Sequence, residues 1–113
     1  MCQSIENINT IPTEQNHQGT AFLKRLIKFR EGKGELQTFN YAWIKKGFQL
    51  DPHTHEDCIE YFYFLSGSGE MLIGENWFGV GQGDFVTVPS KNHHSLKNTY
   101  EEDLIFLTMR ILI

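Results

Sequence analysis

Two histidine-bearing segments, Gly47-x5-His53-x-His55-x4-Glu60-x6-Gly67 and Gly83-x5-Pro89-x4-His94-x3-Asn98, restrict this chain more than any other feature of it. Three imidazoles and one carboxylate meeting at a point make a metal site by ordinary ligand chemistry. The fold must therefore be one that sets the two segments side by side. On an extended segment, residues two apart face the same way. His53 and His55 then share a face, Glu60 shares one with Phe62 and Phe64, and His94 shares one with Leu96 and Asn98. His93 points the opposite way. A carboxylate on a face with two phenylalanines belongs to an interior, where it needs a charge partner or a metal ion. A small closed sheet satisfies all of these conditions. A divalent cation requires neutral imidazoles, so metal affinity is expected to fall below pH ~6.5.

The rest of the chain reads as the same kind of object. Strands are expected at Phe39–Ile44 (with one aromatic face), Ile59–Leu65, Glu70–Ile73, Asp84–Val88, His93–Thr99 and Leu104–Ile113. Trp77-Phe78 lies between glycine-containing turns, and Ser66-Gly67-Ser68-Gly69 turns one strand back into the next. Ala21–Arg30 mixes apolar residues with Lys and Arg and fits helix or strand; its neighbours favour strand. Many short strands at intervals of about 8 to 12 residues, punctuated by Gly, Asn and Pro, indicate an all-β sandwich or barrel. Residues 1–20, rich in Asn, Gln, Thr and Ser, form an N-terminal arm, and residues 21–113 form a single barrel domain.

Composition narrows the function classes. The net charge is −4, with 10 basic and 14 acidic residues, so there is no electrostatic footprint for nucleic acid or an anionic membrane. No apolar run approaches the ~20 residues of a membrane span, and the N-terminus lacks the layout of a secretion signal. Cys2 and Cys58 read as reduced thiols, which places the protein in the cytoplasm. Aromatic residues make up 13% of the chain, which favours strands.

Over residues 36 to 112, these two segments resemble the two motifs of the cupin superfamily. The 15-residue spacer between Gly67 and Gly83 resembles that of its small bacterial members. The resemblance implies a double-stranded β-helix, or jelly-roll barrel, of two antiparallel sheets. It also implies a homodimer, and His53, His55, Glu60 and His94 as ligands of one Fe, Mn, Ni, Zn, Co or Cu ion. The sequence departs from the pattern at Lys91, where a glycine is usual, so Asn92 is the residue expected to take the left-handed conformation there. Lys91 itself is expected to be a solvated loop residue.

Three His and one Glu leave one or two coordination positions open for water, dioxygen or a chelating small molecule. Three functions fit: a metal-dependent enzyme of dioxygenase type, a sugar or hydroxy-carbonyl isomerase or epimerase, and a non-enzymatic module that binds or senses a small ligand. No proton-transfer group stands out, so the catalytic residues are unassigned. The substrate-pocket candidates are Phe62, Leu96, Asn98, Tyr41 and Arg110, the last as an anion anchor or a salt-bridge partner. In the final strand, Ile105, Leu107, Met109, Ile111 and Ile113 make one wholly apolar face and Leu104, Phe106 and Thr108 a mostly apolar one. That places the strand between core and dimer interface. Cys58 is expected to be an inert buried thiol.

Overall fold

A computed structural model describes residues 7–16, 19–28 and 36–113, with the backbone alone at 27 and 28. The chain runs β1 (Glu14–Asn16), β2 (Ala21–Lys28), β3 (Leu36–Ile44), β4 (His53–Thr54), β5 (Cys58–Ser66), β6 (Ser68–Ile73), β7 (Asn76–Gly81), β8 (Phe85–Val88), β9 (His93–Lys97) and β10 (Leu104–Leu112). Trp77 and Phe78, between their glycine-containing turns, belong to strand β7. Ala21–Lys28 is strand, whereas Phe29, Arg30 and Cys2 lie outside the described residues. A short 3-10 turn, Ile8–Thr10, precedes β1, and Lys24 Nζ donates to Ile8 O at 2.7 Å. The described part of the arm therefore lies on the edge of the barrel, where β1 pairs with β2.

Two antiparallel sheets face each other. One has the order β1-β2-β3-β10-β5-β8 and the other β4-β9-β6-β7. This is the double-stranded β-helix. Alternation along each strand decides what lies between the sheets. On β5, Cys58, Glu60, Phe62 and Phe64 are buried, and Tyr61 and Tyr63 face outward. Phe62, Phe64 and Phe106 pack with ring centroids 5.6 to 6.3 Å apart. Ile44, Met71, Leu96 and Leu104 close the core around them. Each such side chain contributes roughly 1.5–3 kcal/mol by leaving water. Among the described residues no helix is long and apolar enough to cross a membrane.

Gly67 is the corner at which the chain leaves one sheet for the other, between β5 and β6. Its φ is +86°, and a Cβ there would lie 2.5 Å from the Asp103 carbonyl oxygen. Gly47 and Gly83 also have positive φ, but nothing crowds either one. Gly47→Ala should thus cost only the ~1 kcal/mol of a left-handed alanine. Gly67→Ala adds a backbone clash and should cost more than about 2 kcal/mol, lowering the melting temperature by roughly 10 °C. Equal melting temperatures for the two variants in thermal denaturation would contradict this account.

Candidate metal centre

Pairing of β4 with β9 sets His53 directly opposite His94. His55 follows on the segment leaving β4, and Glu60 reaches across from β5 in the other sheet. The imidazole centroids are 4.1 Å apart for His53 and His94, 5.0 Å for His53 and His55, and 5.3 Å for His55 and His94. One ligand atom from each of the four residues can be chosen so that all lie within 4.8 Å of one another.

Hydrogen bonds behind the rings fix which nitrogen faces the centre. His53 Nδ1 lies 2.9 Å from Asp51 O, and His94 Nδ1 lies 3.2 Å from Asn92 O. A carbonyl only accepts, so each Nδ1 carries the proton and each Nε2 is the nitrogen with a lone pair to coordinate. His94 Nε2 is 3.1 Å from Glu60 Oε1, and His55 Nε2 is 3.4 Å from the same oxygen. The His55 approach is too poorly aligned for a hydrogen bond, which leaves His55 Nε2 buried without a hydrogen-bond partner among the described residues. Nitrogen lone pairs turned toward a carboxylate repel it unless a proton or cation lies between them. The donor set therefore fits a divalent ion: three nitrogens, one carboxylate, and an orphaned buried nitrogen that an ion would satisfy.

Glu60 is only 6% exposed. Burial alone would push its carboxyl up, but in the metal-free protein a proton on the Nε2 of His55 and His94 takes the place of the ion. These donors together with the Arg110 guanidinium more than offset burial and hold the carboxyl well below the usual carboxylate range. Arg110 Nη2 lies 3.8 Å from Glu60 Oε2. Two residues before Glu60 on the same face of β5, Cys58 is a free buried thiol pushed upward by burial.

The centre opens on a cavity of about 60 Å³ lined by Asn40, His53, Glu60, Phe62, Thr108 and Arg110, with Leu23, Leu50 and Phe106 around them. Of the pocket candidates, Phe62 and Arg110 line this cavity. Leu96 is fully buried in the core. Asn98 ties a turn together: its Nδ2 donates to Ile44 O at 2.9 Å and Glu102 O at 2.7 Å, and its Oδ1 accepts from Tyr100 N. Tyr41 lies on the outer face of β3, edge-on to Trp43 at 6.1 Å, and is not among the residues lining the cavity. The aromatic face of β3 is its outward face, and Thr38, Asn40 and Ala42 point inward. Asn40 and Thr108 are cavity residues that sequence reasoning missed. The available signal was polar residues at alternate positions on two largely apolar strands, Thr38 and Asn40 on β3 opposite Arg110 and Thr108 on β10.

His93 is exposed, with Nδ1 3.2 Å from Thr54 Oγ1. In the loop before β9, the left-handed residue is Lys91, with φ +65°, and not Asn92. Lys91 N donates to His55 O at 2.7 Å, which anchors the segment carrying a centre residue, and its side chain is exposed. Asn92 instead folds its Nδ2 back to Ser90 O.

The family model for the cupin domain matches residues 41–110. The chain is a cupin. An oxalate-binding protein of Thermotoga maritima is 30% identical to it over 105 residues, covering 80% of this chain and 87% of that protein. An uncharacterized protein of Methanocaldococcus jannaschii is 32% identical over 78 residues, 69% of this chain. The chain spans 62% of that protein's length and 26% of a matching Sinorhizobium fredii protein. The crystal structure of a predicted oxalate decarboxylase from T. maritima superposes with a TM-score of 0.86 at 24% identity, covering 97% of this cupin and all of that chain. That similarity establishes the shared fold.

The depressed Glu60 carboxyl makes a prediction for the metal-free protein. A carboxyl with a lowered folded-state pKa contributes stability that is fully present above its unfolded value near ~4.3 and is lost as pH falls toward the folded value. Urea unfolding of metal-free protein between pH 5 and pH 3 should show a steeper loss of stability for the native chain than for Glu60→Gln. Parallel profiles would mean that Glu60 is not held by its neighbours.

Proposed function

We propose that His53, His55, Glu60 and His94 hold one divalent transition metal ion, and that this cupin takes a small organic ligand into the ion's open positions. The observation that carries the reading is the buried, unpaired His55 Nε2 among four converging ligand atoms that open on a cavity. When bound, the ion supplies a Lewis-acid or redox centre at which two ligand oxygens can be held. The chain's own residues orient that ligand. Phe62 and Phe106 exclude water on one side, and Asn40, Thr108 and Arg110 offer hydrogen bonds on the other.

Isomerisation needs a side chain to move a proton between carbons. Among the described residues lining the cavity, those other than the proposed metal ligands and Arg110 are Asn, Thr and apolar side chains. This favours dioxygenase-type turnover, which the ion and dioxygen can support without a separate protein acid or base. Plain binding is the second reading, favoured by the T. maritima relative named for binding oxalate. A cytoplasmic setting goes with both, in keeping with the free thiol of Cys58.

Elemental mass spectrometry of protein purified without chelator tests the centre. About one ion per chain is expected, lost in His94→Ala and Glu60→Ala and kept in His93→Ala. Equal loss from His93→Ala and His94→Ala would overturn the assignment. With iron-loaded protein, oxygen uptake above background with a small carboxylate, phenol or thiol supports the dioxygenase. Background uptake with retained ligand binding supports the binding module.

We further propose a homodimer through the outer face of β3, β10, β5 and β8. Phe39, Tyr61, Tyr63, Phe85, Leu107 and Met109 line a shallow apolar groove there, with Phe85 59% exposed. An exposed apolar patch of this kind marks an interaction surface. Light scattering should give twice the chain mass, and Phe85→Asp should shift it toward one chain mass. A native mass of 13.1 kDa would refute the dimer.

A further inference from the structure

The inner face of the six-stranded sheet is ordered in rows. Arg110 lies opposite Thr38 on one side and Glu60 on the other, and Thr108 lies opposite Asn40 and Phe62. The next row, Phe106 between Ala42 and Phe64, is apolar. Polar residues are thus concentrated in the two rows beside the metal centre. Two of them have unused hydrogen-bonding capacity. Among the described residues Arg110 Nε is buried with no hydrogen-bond partner, and its guanidinium meets Glu60 only at 3.8 Å, beyond hydrogen-bond distance. Asn40, 5% exposed, donates from Nδ2 to Thr38 Oγ1 and Thr108 Oγ1, both at 3.2 Å, and its Oδ1 has no partner among the described residues.

Hydroxyls both donate and accept, so the Asn40 amide can turn over. Its oxygen then receives both threonine hydroxyls, and its NH2 faces whatever the oxygen faced before. Asn40 and Arg110 both line the cavity that His53 and Glu60 also line. Buried polar groups left unpaired beside a cavity mark the place of a ligand. Two donors, one of them cationic and planar, suit a carboxylate.

We infer that Arg110 and Asn40 form a carboxylate-binding subsite, and that the ligand of this cupin is a small organic acid of two to four carbons. The acid chelates through one oxygen pair and presents its remaining carboxylate oxygens to Arg110 Nε and the Asn40 amide. The size limit follows from a cavity of about 60 Å³. This rests on the reading of the four-residue centre as a metal site.

The test uses nickel-loaded protein and three probes: oxalate, its neutral and nearly isosteric diamide oxamide, and imidazole, which is directed to the metal alone. Calorimetry should show oxalate preferred over oxamide by at least about tenfold, because charge-assisted hydrogen bonds are lost with the diamide. Asn40→Ala should lower oxalate affinity severalfold with nickel content and imidazole affinity unchanged. Arg110→Gln should lower oxalate affinity severalfold more than it lowers imidazole affinity, since its charge also acts on Glu60. Arg110→Lys, which keeps the charge and loses the planar fork, should fall between. If oxamide binds as well as oxalate, or if oxalate affinity is undiminished in the Gln and Ala variants, the subsite is refuted while the metal centre stands. If imidazole affinity drops in step with oxalate affinity, Arg110 only holds Glu60, and the subsite is likewise refuted. If the native chain takes up no nickel, the metal centre falls and the subsite falls with it.

Discussion

Glu60 is the point on which the two sheets depend. It is a buried carboxylate, contributed by the six-stranded sheet, and its nearest charge partners are two histidines associated with the four-stranded sheet and one arginine from its own. Moving such a group out of water costs several kcal/mol unless neighbours compensate. The compensation here is geometric. His94 is positioned by its pairing with His53, His55 by the Lys91 amide bonded to its carbonyl, and Arg110 by its register against Glu60 on β10. None of these placements is local. Each requires the sheet edges and the corner at Gly67 to be in place first. The region that holds the charge cluster is therefore also where the sandwich is pinned together.

Much of this could be read from residue spacing, and the rest could not, for physical reasons. Along β5 the buried face carries Glu60, Phe62 and Phe64 and the other face carries Tyr61 and Tyr63. On β9 His94 and Leu96 share a face opposite His93 and Lys97, although Ser95 on that second face is also buried. That is why the convergence of His53, His55, Glu60 and His94 was legible. The glycines at 47, 67 and 83 marked turns because positive φ is cheap for glycine. On β3 the same rule misleads. Its outward face carries Phe39, Tyr41 and Trp43, and its inward face carries Thr38 and Asn40. The usual preference for apolar interiors is reversed where the interior is a cavity, so Tyr41 looked like a pocket residue and Asn40 did not. At Lys91, local propensity favoured Asn92 for the left-handed position. The tertiary hydrogen bond from Lys91 N to His55 O decides instead, and no single-sequence pattern contains that bond.

The reversal on β3 carries a cost that a purely structural barrel would avoid. A buried asparagine with an unpaired oxygen and an arginine with an unpaired nitrogen each lose on the order of 1–3 kcal/mol of hydrogen bonding with water. Leucine or valine at these positions would fill the interior without that penalty, as Phe106 and Ala42 do one row away. Local departures of this kind are concentrated where a fold serves something other than its own stability. Here the unpaired groups of Asn40 and Arg110 lie in the two rows that border His53 and Glu60, whereas the buried polar residues Ser95 and Asn98 elsewhere are hydrogen-bonded.

Arg110 sits at the junction of both demands. Had it formed a two-pronged hydrogen-bonded pair with Glu60, the guanidinium would be saturated, and the carboxylate would have less capacity left to serve as a ligand. At 3.8 Å the guanidinium lowers the carboxylate's proton affinity through charge while leaving its own donors available. A lysine could supply the same charge but not a planar set of further donors at the cavity that Arg110, Thr108 and Asn40 line together. One side chain on the last strand can thus keep Glu60 ionised for the centre and still face the cavity beside it. That dual position follows from the β10 register, which places residue 110 between Thr38 and Glu60.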